Sequence, residues 1–485
     1  MRVSVVVVGD VGRSPRMRYH ALSLAQQGCT VDLVGYQDTP PDDVILRNPA
    51  IRLVSLPAPP KFLSFSGGVA PLKTAVLGLR FLWVAVLLTW ILLFRNGLPS
   101  VILVQNPPGL PALLVCWLCA PQKRARFVVD WHNFTSTVLR EQLGAAVPAA
   151  DSGSGAKGKK RAQADSRHSL LVSFAAGWES WLGRRADLNF CVTHAMREKL
   201  AAEDGVLALT LYDRPPRWRY SRLSTPHKHD FFLKMAVDRL YAPFVPRTPD
   251  AELNVEKALT TTLDRNGSTR FSYREEGGKR RARLRQEGRP ALLLSSTSWT
   301  VDEDFGVLLE ALRRYDALAE ADARHGVDAV SRLPSVVMVI TGKGPCKEQY
   351  VRRMDALQLK RVEFLTPWLE HADYAKMVAC ADCGLSFHTS TSGLDLPMKV
   401  VDMLGSGLPV LAWRYRCIGE LVRDADNGFT FADETELCGR LVDLLRGFPT
   451  HSKALNDLKQ NVRSAPLVSW EENWLATAWP PLCVQ

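Results

Sequence analysis

The chain has 485 residues, of which 46% are hydrophobic and 23% charged, and a formal net charge of +11. That length exceeds one ordinary domain and that composition is globular, which excludes a disordered chain and suits two α/β domains with insertions. The positive balance favours an anionic partner. No finger, ribonucleoprotein motif or aromatic-interleaved basic stripe is present, so nucleic acid is not expected, and anionic lipid and diphosphate ligands fit better.

The apolar run Val3 to Val8 reads as a buried parallel strand and leads into GDVGRSPRMRYHALSLAQQG. Met17, Ala21, Leu24 and Ala25 recur at helical spacing, Gly28 stops the helix, and Cys29, Val31 and Leu33 alternate as a second strand. The turn holds Gly9 and Gly12 but not the three-glycine dinucleotide fingerprint, and no acid ends the second strand, so nicotinamide and flavin chemistry are disfavoured. Gly12, Arg13, Ser14 and Arg16 stand instead at a helix N-terminus, with Arg18 close behind, an arrangement that suits a phosphate group. The alternative is a set of solvated arginines on an exposed helix end.

From Val76 to Phe94 the sequence VLGLRFLWVAVLLTWILLF is nearly long enough to span a bilayer but is interrupted by Arg80. Its uninterrupted part suits a half-buried interfacial helix bearing Phe81, Trp83, Leu87 and Trp90, the alternative being a core helix of the first domain. A spanning segment is rejected, because it would part the two halves of the protein. The chain starts directly on a strand, with no expected signal peptide or N-terminal anchor. Cys116 with Cys119 and Cys380 with Cys383 form C-x-x-C pairs that read as buried structural thiols rather than zinc ligands. The apolar strand FVVD ends in DWHNF, which puts His132 at a strand's carboxyl end, where open α/β sheets place ligands. A polar stretch around 149 to 168 reads as a flexible insertion, and the basic tail of residues 215 to 290 as a solvated linker able to rest on an anionic leaflet.

A second domain is expected from Ala291. LLLSS is strand-like, Thr300 and Glu303 have capping-box spacing, and Asp302 and Asp304 form a D-x-D that the helix macrodipole explains without a metal. Strand VVMVITG is followed by Gly342, Lys343 and Gly344, a turn that admits a ligand to the backbone and supplies a cation. The stretch His388 to Val410, HTSTSGLDLPMKVVDMLGSGLPV, runs from a strand through a hydroxyl-rich loop into a helix bearing Asp395, Lys399 and Asp402. That layout suits a nucleotide-sugar pocket lined by His388, Ser392, Gly393, Leu394, Asp395, Lys399 and Asp402.

Together GDVGRSPRMRYHALSLA, QNPPGLPAL, DWHNFTSTVL, NFCVTHAMREKL, SSTSWTVDEDF and STSGLDLPMKVVDMLGSGLPVLA resemble the chitobiosyldiphosphodolichol β-mannosyltransferases, over roughly residues 1 to 215 and 290 to 480. The resemblance implies a GT-B architecture, an α/β fold of two Rossmann-like domains with a cleft between them. It divides the chain into an acceptor and membrane-facing domain (1–215, flexible insertion about 145–168), a variable basic insertion (216–290) and a donor domain (291–485) whose C-terminal helix packs back. It implies transfer of the first mannose from GDP-mannose to dolichol-diphosphate chitobiose, with inversion, at the cytosolic face of the endoplasmic reticulum membrane. Other early-pathway glycosyltransferases are further partners it suggests. No tightly bound cofactor is implied, and a divalent cation is possible but not required.

Two departures from the broader GT-B pattern stand out. No basic residue follows the first strand of the second domain, so Lys343 and Lys399 take the place of the usual diphosphate clamp. Asp395 and Asp402 have six residues between them where the pattern usually has two glutamates with seven between; Asp402 is carried over as the ribose ligand, and Leu394 rather than Asp395 falls at the first glutamate. Inversion needs one general base, for which His132 is the candidate, with Asp10 and Glu141 as rivals. A non-catalytic scaffold subunit and a nucleotide-sugar epimerase of the same fold are the competing functions.

Overall fold

The computed structural model describes residues 1–60, 70–145, 156–220, 222–237, 269–275, 281–300, 303–465 and 468–483. They divide into two compact units, one of Met1–Asp213, Thr391–Asp395 and Val468–Gln485, the other of Arg214–Ser390 and Leu396–Leu467.

In the first unit, strands β1 (Arg2–Asp10), β2 (Thr30–Tyr36), β3 (Ile51–Ser55), β4 (Val101–Asn106), β5 (Arg126–Trp131), β6 (Leu188–Cys191) and β7 (Leu209–Thr210) form a parallel sheet in the order β3-β2-β1-β4-β5-β6-β7. Val5 pairs with Leu33 on one side and Leu103 on the other, so the central strand is buried on both faces and reads as a continuous apolar run. The helices are α1 (Pro15–Gln26), α2 (Asp43–Leu46), α3 (Ala70–Trp90), α4 (Ala112–Lys123), α5 (Thr135–Ala145), α6 (Ala156–Gly183) and α7 (His194–Ala202).

Two expectations change here. The polar stretch 149 to 168 is helical from Ala156 onward, as the first half of the 28-residue α6, while 146–155 lie outside the described residues. The apolar segment of α3 has one face in the core and another exposed. Val84 and Leu88, with Ile91 and Leu92 in the π turn that follows, are buried in the core of this unit. Phe81 and Trp90 are exposed, Trp83 is half-buried with its indole N–H on the Pro57 carbonyl at 3.4 Å, and Leu87 is half-buried. By length and composition Gly78–Arg95 is apolar enough to cross a membrane.

In the second unit come α8 (Thr225–Val237) and a two-stranded antiparallel sheet of β8 (Ser272–Arg274) and β9 (Ala282–Leu284). The main sheet follows, with β10 (Ala291–Ser296), α9 (Phe305–Arg324), β11 (Val336–Thr341), α10 (Lys347–Ala356), β12 (Val362–Leu365), α11 (His371–Cys380), β13 (Cys383–Ser386), α12 (Met398–Gly405), β14 (Val410–Trp413), β15 (Gly428–Phe431), α13 (Glu434–Leu445) and α14 (Lys453–Ser464). Its order is β12-β11-β10-β13-β14-β15, all parallel. In both sheets the strand order reverses beside the first strand, the kind of point at whose carboxyl ends open α/β sheets bind ligands. Helices α15 (Trp470–Thr477) and α16 (Trp479–Cys483) belong to the first unit.

The basic tail read as a solvated linker is structured in its described parts. It forms the β8–β9 pair, and Phe271 stacks on Phe232 of α8 with centroids 4.8 Å apart. The helix start also moves. Asp304, not Thr300, caps α9 by accepting from the Gly306 amide at 2.7 Å, because Glu303 is turned inward. Asp302 lies outside the described residues. All four C-x-x-C cysteines are buried, and burial pushes the Cys380 and Cys383 thiols up to about 12.

Candidate active site

Asp130, at the end of β5, is the centre of the site in the first unit. Three cationic or imidazole groups converge on its buried carboxylate. Arg16 forms a two-pronged pair with it, Nε to Oδ2 at 2.8 Å and Nη2 to Oδ1 at 2.8 Å. His132 lies on the same side of the strand, two residues on, with Nε2 at 2.9 Å from Oδ2. His20 Nε2 is 3.2 Å from that oxygen. Burial by itself pushes the Asp130 carboxyl up, but the Arg16 charge, His132 and their hydrogen bonds outweigh it and hold the group well below the usual carboxylate range.

The protons of both imidazoles follow from their partners. A carboxylate only accepts, so His132 donates Nε2–H and in its neutral form carries the lone pair on Nδ1. For His20 the other nitrogen decides the same tautomer, because the Trp474 indole N–H donates to its Nδ1 at 2.9 Å. Burial lowers the His20 pKa, with the Asp130 hydrogen bond opposing, and keeps the ring neutral. The His132 amide donates to the Asn106 carbonyl at 2.8 Å, fixing this residue to β4. Glu179 of α6 accepts from the Thr135 amide at 2.7 Å and from Asn106 at 2.8 Å, which closes the N-terminus of α5 beside it.

The arginine turn reads differently from the sequence expectation. Arg16 is 2% exposed, and Nη1 donates further to the Leu211 carbonyl at 2.8 Å and to Asp213 at 2.9 Å. Arg16 is therefore an internal cation that holds Asp130, not a surface ligand for phosphate. Gly12 is taken too: its amide donates to Asp10 Oδ1 at 3.1 Å, and a Cβ there would sit 2.3 Å from the Thr39 carbonyl oxygen. Ser14 donates to the Asp10 carbonyl at 3.0 Å, and Arg18 pairs with Asp42. Arg13 keeps an 80% exposed side chain, 3.4 Å from Asp10. Asp10, offered as a rival base, spends Oδ1 on the amides of Gly12 and Thr39 and acts as the turn's acceptor. Glu141 is exposed on α5.

The loop after β13 is divided between the units. Ser392, Gly393, Leu394 and Asp395 belong with the first unit, although the sequence assigned them to the donor domain. Asp395 accepts from Asn133, the neighbour of His132, at 3.0 Å, and Asn133 also donates to Thr391 at 3.0 Å. Leu394 is buried, and its carbonyl accepts from Thr193 at 2.6 Å. Asp395 is thus structurally tied to the His132 strand end.

In the second unit, Lys399 of α12 is paired with the buried Glu303, whose other oxygen accepts from Thr297. An ammonium has three donors, so this pairing leaves Lys399 able to meet a phosphate oxygen as well. Asp402, one turn further along α12, raises the Tyr374 pKa together with burial, the larger cause, and the Tyr374 hydroxyl lies 3.3 Å from Ser296 at the end of β10. Lys343 lies 4.1 Å from the centroid of the Trp368 ring. Gly342 has φ +150, and a Cβ on Gly344 would stand 1.7 Å from the Ser298 carbonyl oxygen. These glycines let the β11 turn pass against the loop after β10; the close approach is to the protein's own backbone. His388 packs edge-on to Tyr415 at 6.2 Å. Among the described residues no group of three His, Cys, Asp or Glu side chains is placed to hold a metal, and Asp304 is engaged as a cap.

Residues 12–209 match the glycosyl transferase 4-like domain and residues 311–447 the glycosyl transferases group 1 model. Over 99% of its length the chain is 38% identical to the chitobiosyldiphosphodolichol beta-mannosyltransferases of Mus musculus and Homo sapiens, covering 88% and 92% of those proteins. The chain belongs to that family. An Arabidopsis thaliana relative named UDP-glycosyltransferase TURAN is also 38% identical, with 99% of this chain and 96% of that protein covered. Among solved structures, a sucrose-phosphate synthase from Thermosynechococcus elongatus superposes with a TM-score of 0.57 at 14% identity, covering 98% and 97% of the two chains. That likeness shows the fold alone, the GT-B class of glycosyltransferases expected from the sequence.

Sequence reasoning missed Asp130, His20, Asp213 and Trp474. Two signals for them were present. An acid inside the apolar run FVVDW, two residues before a histidine, is placed by strand periodicity on the same side as His132. Arg16 and His20 are four apart on α1 and so share a face.

Proposed function

We propose that this protein transfers mannose from GDP-mannose to GlcNAc2-diphosphodolichol, forming the β-1,4-linked mannoside of the N-glycan precursor at the cytosolic face of the endoplasmic reticulum membrane. The observation that carries this reading is the full-length similarity to mannosyltransferases of that name in mouse and human, with both glycosyltransferase models matched.

The chemistry is a single in-line displacement. An α-linked donor yields a β-linked product when the acceptor hydroxyl attacks from the face opposite the diphosphate, so one base and a stabilised leaving group suffice. His132 takes the hydroxyl proton on Nδ1, and Asp130 stabilises the imidazolium that results while Arg16 holds Asp130 in place. Asp402 accepts from the ribose hydroxyls of the donor. Lys399 and Lys343 meet the charge that grows on the departing diphosphate. These residues do not demand a tightly bound cofactor or a divalent cation for the step.

The test is transfer from labelled GDP-mannose to lipid-diphosphate chitobiose, run beside UDP-sugars because one relative carries a UDP-glycosyltransferase name. A lipid-linked trisaccharide from GDP-mannose alone supports the reading. Transfer from a UDP-sugar in its place overturns the donor, and absence of transfer and of GDP-mannose hydrolysis indicates a scaffold subunit.

A further inference from the structure

The first unit carries an unusual apolar surface that its core does not use. Among the exposed large side chains of α3, which include Leu79 and Phe81, Leu82 at 56%, Val86 at 58% and Trp90 recur every four residues, with Phe94 at 74% in the π turn beyond. Their spacing puts them on one stripe, opposite the buried Val84, Leu88 and Ile91. On α6 a second group, Leu170 at 68%, Leu171 at 54% and Phe174 at 59%, faces solvent beside the buried Val172 and Ala175. Helix α4 packs against both α3 and α6 and exposes Leu118. An aromatic row joins the helices: Phe174 stacks on Trp178 at 5.9 Å, Trp178 on Trp181 at 5.3 Å, and Trp181 meets Trp117 of α4 edge-on at 5.1 Å. Scattered apolar side chains are ordinary on a protein surface, but helices in contact that all present large ones form a patch that marks an interaction site.

Charge decides the occupant. Neither α3 with its π turn, nor α4, nor the segment 170–178 of α6 contains an acidic residue. Cations border the aromatic groups instead: Arg95 lies over Trp90 at 5.5 Å and Arg185 over Trp181 at 3.7 Å, while Arg80 is exposed between Leu79 and Phe81. Apolar side chains and tryptophans flanked by arginines, with no carboxylate, match the boundary between acyl chains and anionic headgroups.

We propose that α6 is a second membrane-contacting element, and that Leu170, Leu171 and Phe174 enter an anionic leaflet together with the outer stripe of α3. This deepens the proposed function, since it rests on an acceptor held in a membrane. Two separate helices seat the unit on the leaflet, so its orientation to the surface is fixed as well as its distance. A single helix would leave the unit free to roll about its axis.

The test uses the full-length protein and flotation with phosphatidylcholine vesicles, with and without phosphatidylinositol. The variant Leu170→Gln, Leu171→Gln, Phe174→Gln is compared with Leu82→Gln, Val86→Gln on α3. The α6 variant should bind anionic vesicles about tenfold less tightly than wild type, while retaining its thermal midpoint and its turnover of a water-soluble short-chain acceptor. An independent measurement places an environment-sensitive fluorophore at Ser173→Cys, in a Cys483→Ser background, where vesicles should shift its emission to the blue. Wild-type vesicle binding by the α6 variant and no shift at position 173, with binding lost only in the α3 variant, overturns the role of α6 and leaves the membrane reading standing. A wild-type protein that ignores vesicles overturns both. Loss of a dimer in the α6 variant, with no change in vesicle binding, shows that the face is covered by a second copy.

Discussion

His132 Nε2 stands 2.9 Å from Asp130 Oδ2, and Arg16 closes on the same carboxylate from the interior at 2.8 Å. The pairing gives the imidazole a fixed tautomer and ring direction, with Nδ1 as the available base. His132→Ala should therefore lower kcat by about 10² to 10⁴ with the donor KM little changed. Steady-state kinetics with both substrates varied is the check. Near-wild-type turnover would pass the role of base to another group.

Arg16→Ala removes the partner of two carboxylates, Asp130 and Asp213, in a buried setting. An uncompensated buried charge should cost about 3–5 kcal/mol of stability, read as a large drop in the denaturant midpoint. Lysine cannot reproduce the two-pronged contact and should rescue little. Arg13→Ala, on an exposed side chain, should leave stability unchanged and serve as the control.

Asp402→Ala should weaken GDP-mannose binding, because ribose hydroxyls left without their acceptor lose about 1–3 kcal/mol. Titration calorimetry with GDP-mannose and with GDP should show the same loss for both, since the interaction lies in the shared nucleotide. Unchanged affinity would count against Asp402 as the ribose ligand.

His20 sets a pH dependence. Its folded pKa is lowered by burial, so as pH falls below about 6.5 the unfolded chain takes up a proton that the folded chain refuses. Stability contributed by the neutral ring is complete above that pH and is lost as pH falls toward the folded pKa, by up to about 1.4 kcal/mol per pH unit. His20→Gln, which keeps a donor for Asp130 and an acceptor for Trp474, should flatten the slope between pH 6.5 and 5 measured by denaturant melts. An unaltered slope would place the proton uptake elsewhere.

Several strands and their parallel character were legible in the sequence because burial on both faces leaves continuous apolar runs, as in Val3 to Val8 and Val336 to Ile340, although their order in the sheets was not. His132 was legible for the same reason, as the polar group at the end of such a run. Arg16 was not: a charge on a helix start looks solvated until its partners Asp130 and Asp213, 114 and 197 residues away, are seen. Trp474 lies 454 residues from His20, and no local pattern announces that contact. Asp395 misled for a related reason: the sequence placed it on the helix with Lys399 and Asp402, whereas it lies in the loop before α12, bonded to Asn133. The helix start at Phe305 shifted because Glu303, a good capping residue by spacing, is bound instead by Lys399 and Thr297.

The central claim is inverting transfer of mannose, and the configuration of the product tests it most directly. The trisaccharide released from the lipid after reaction with GDP-mannose should lose its terminal mannose to a β-mannosidase and resist an α-mannosidase, with one-bond carbon–proton coupling at the anomeric centre reporting the same β configuration. An α-linked mannose would contradict the single displacement and the role of His132 as its base.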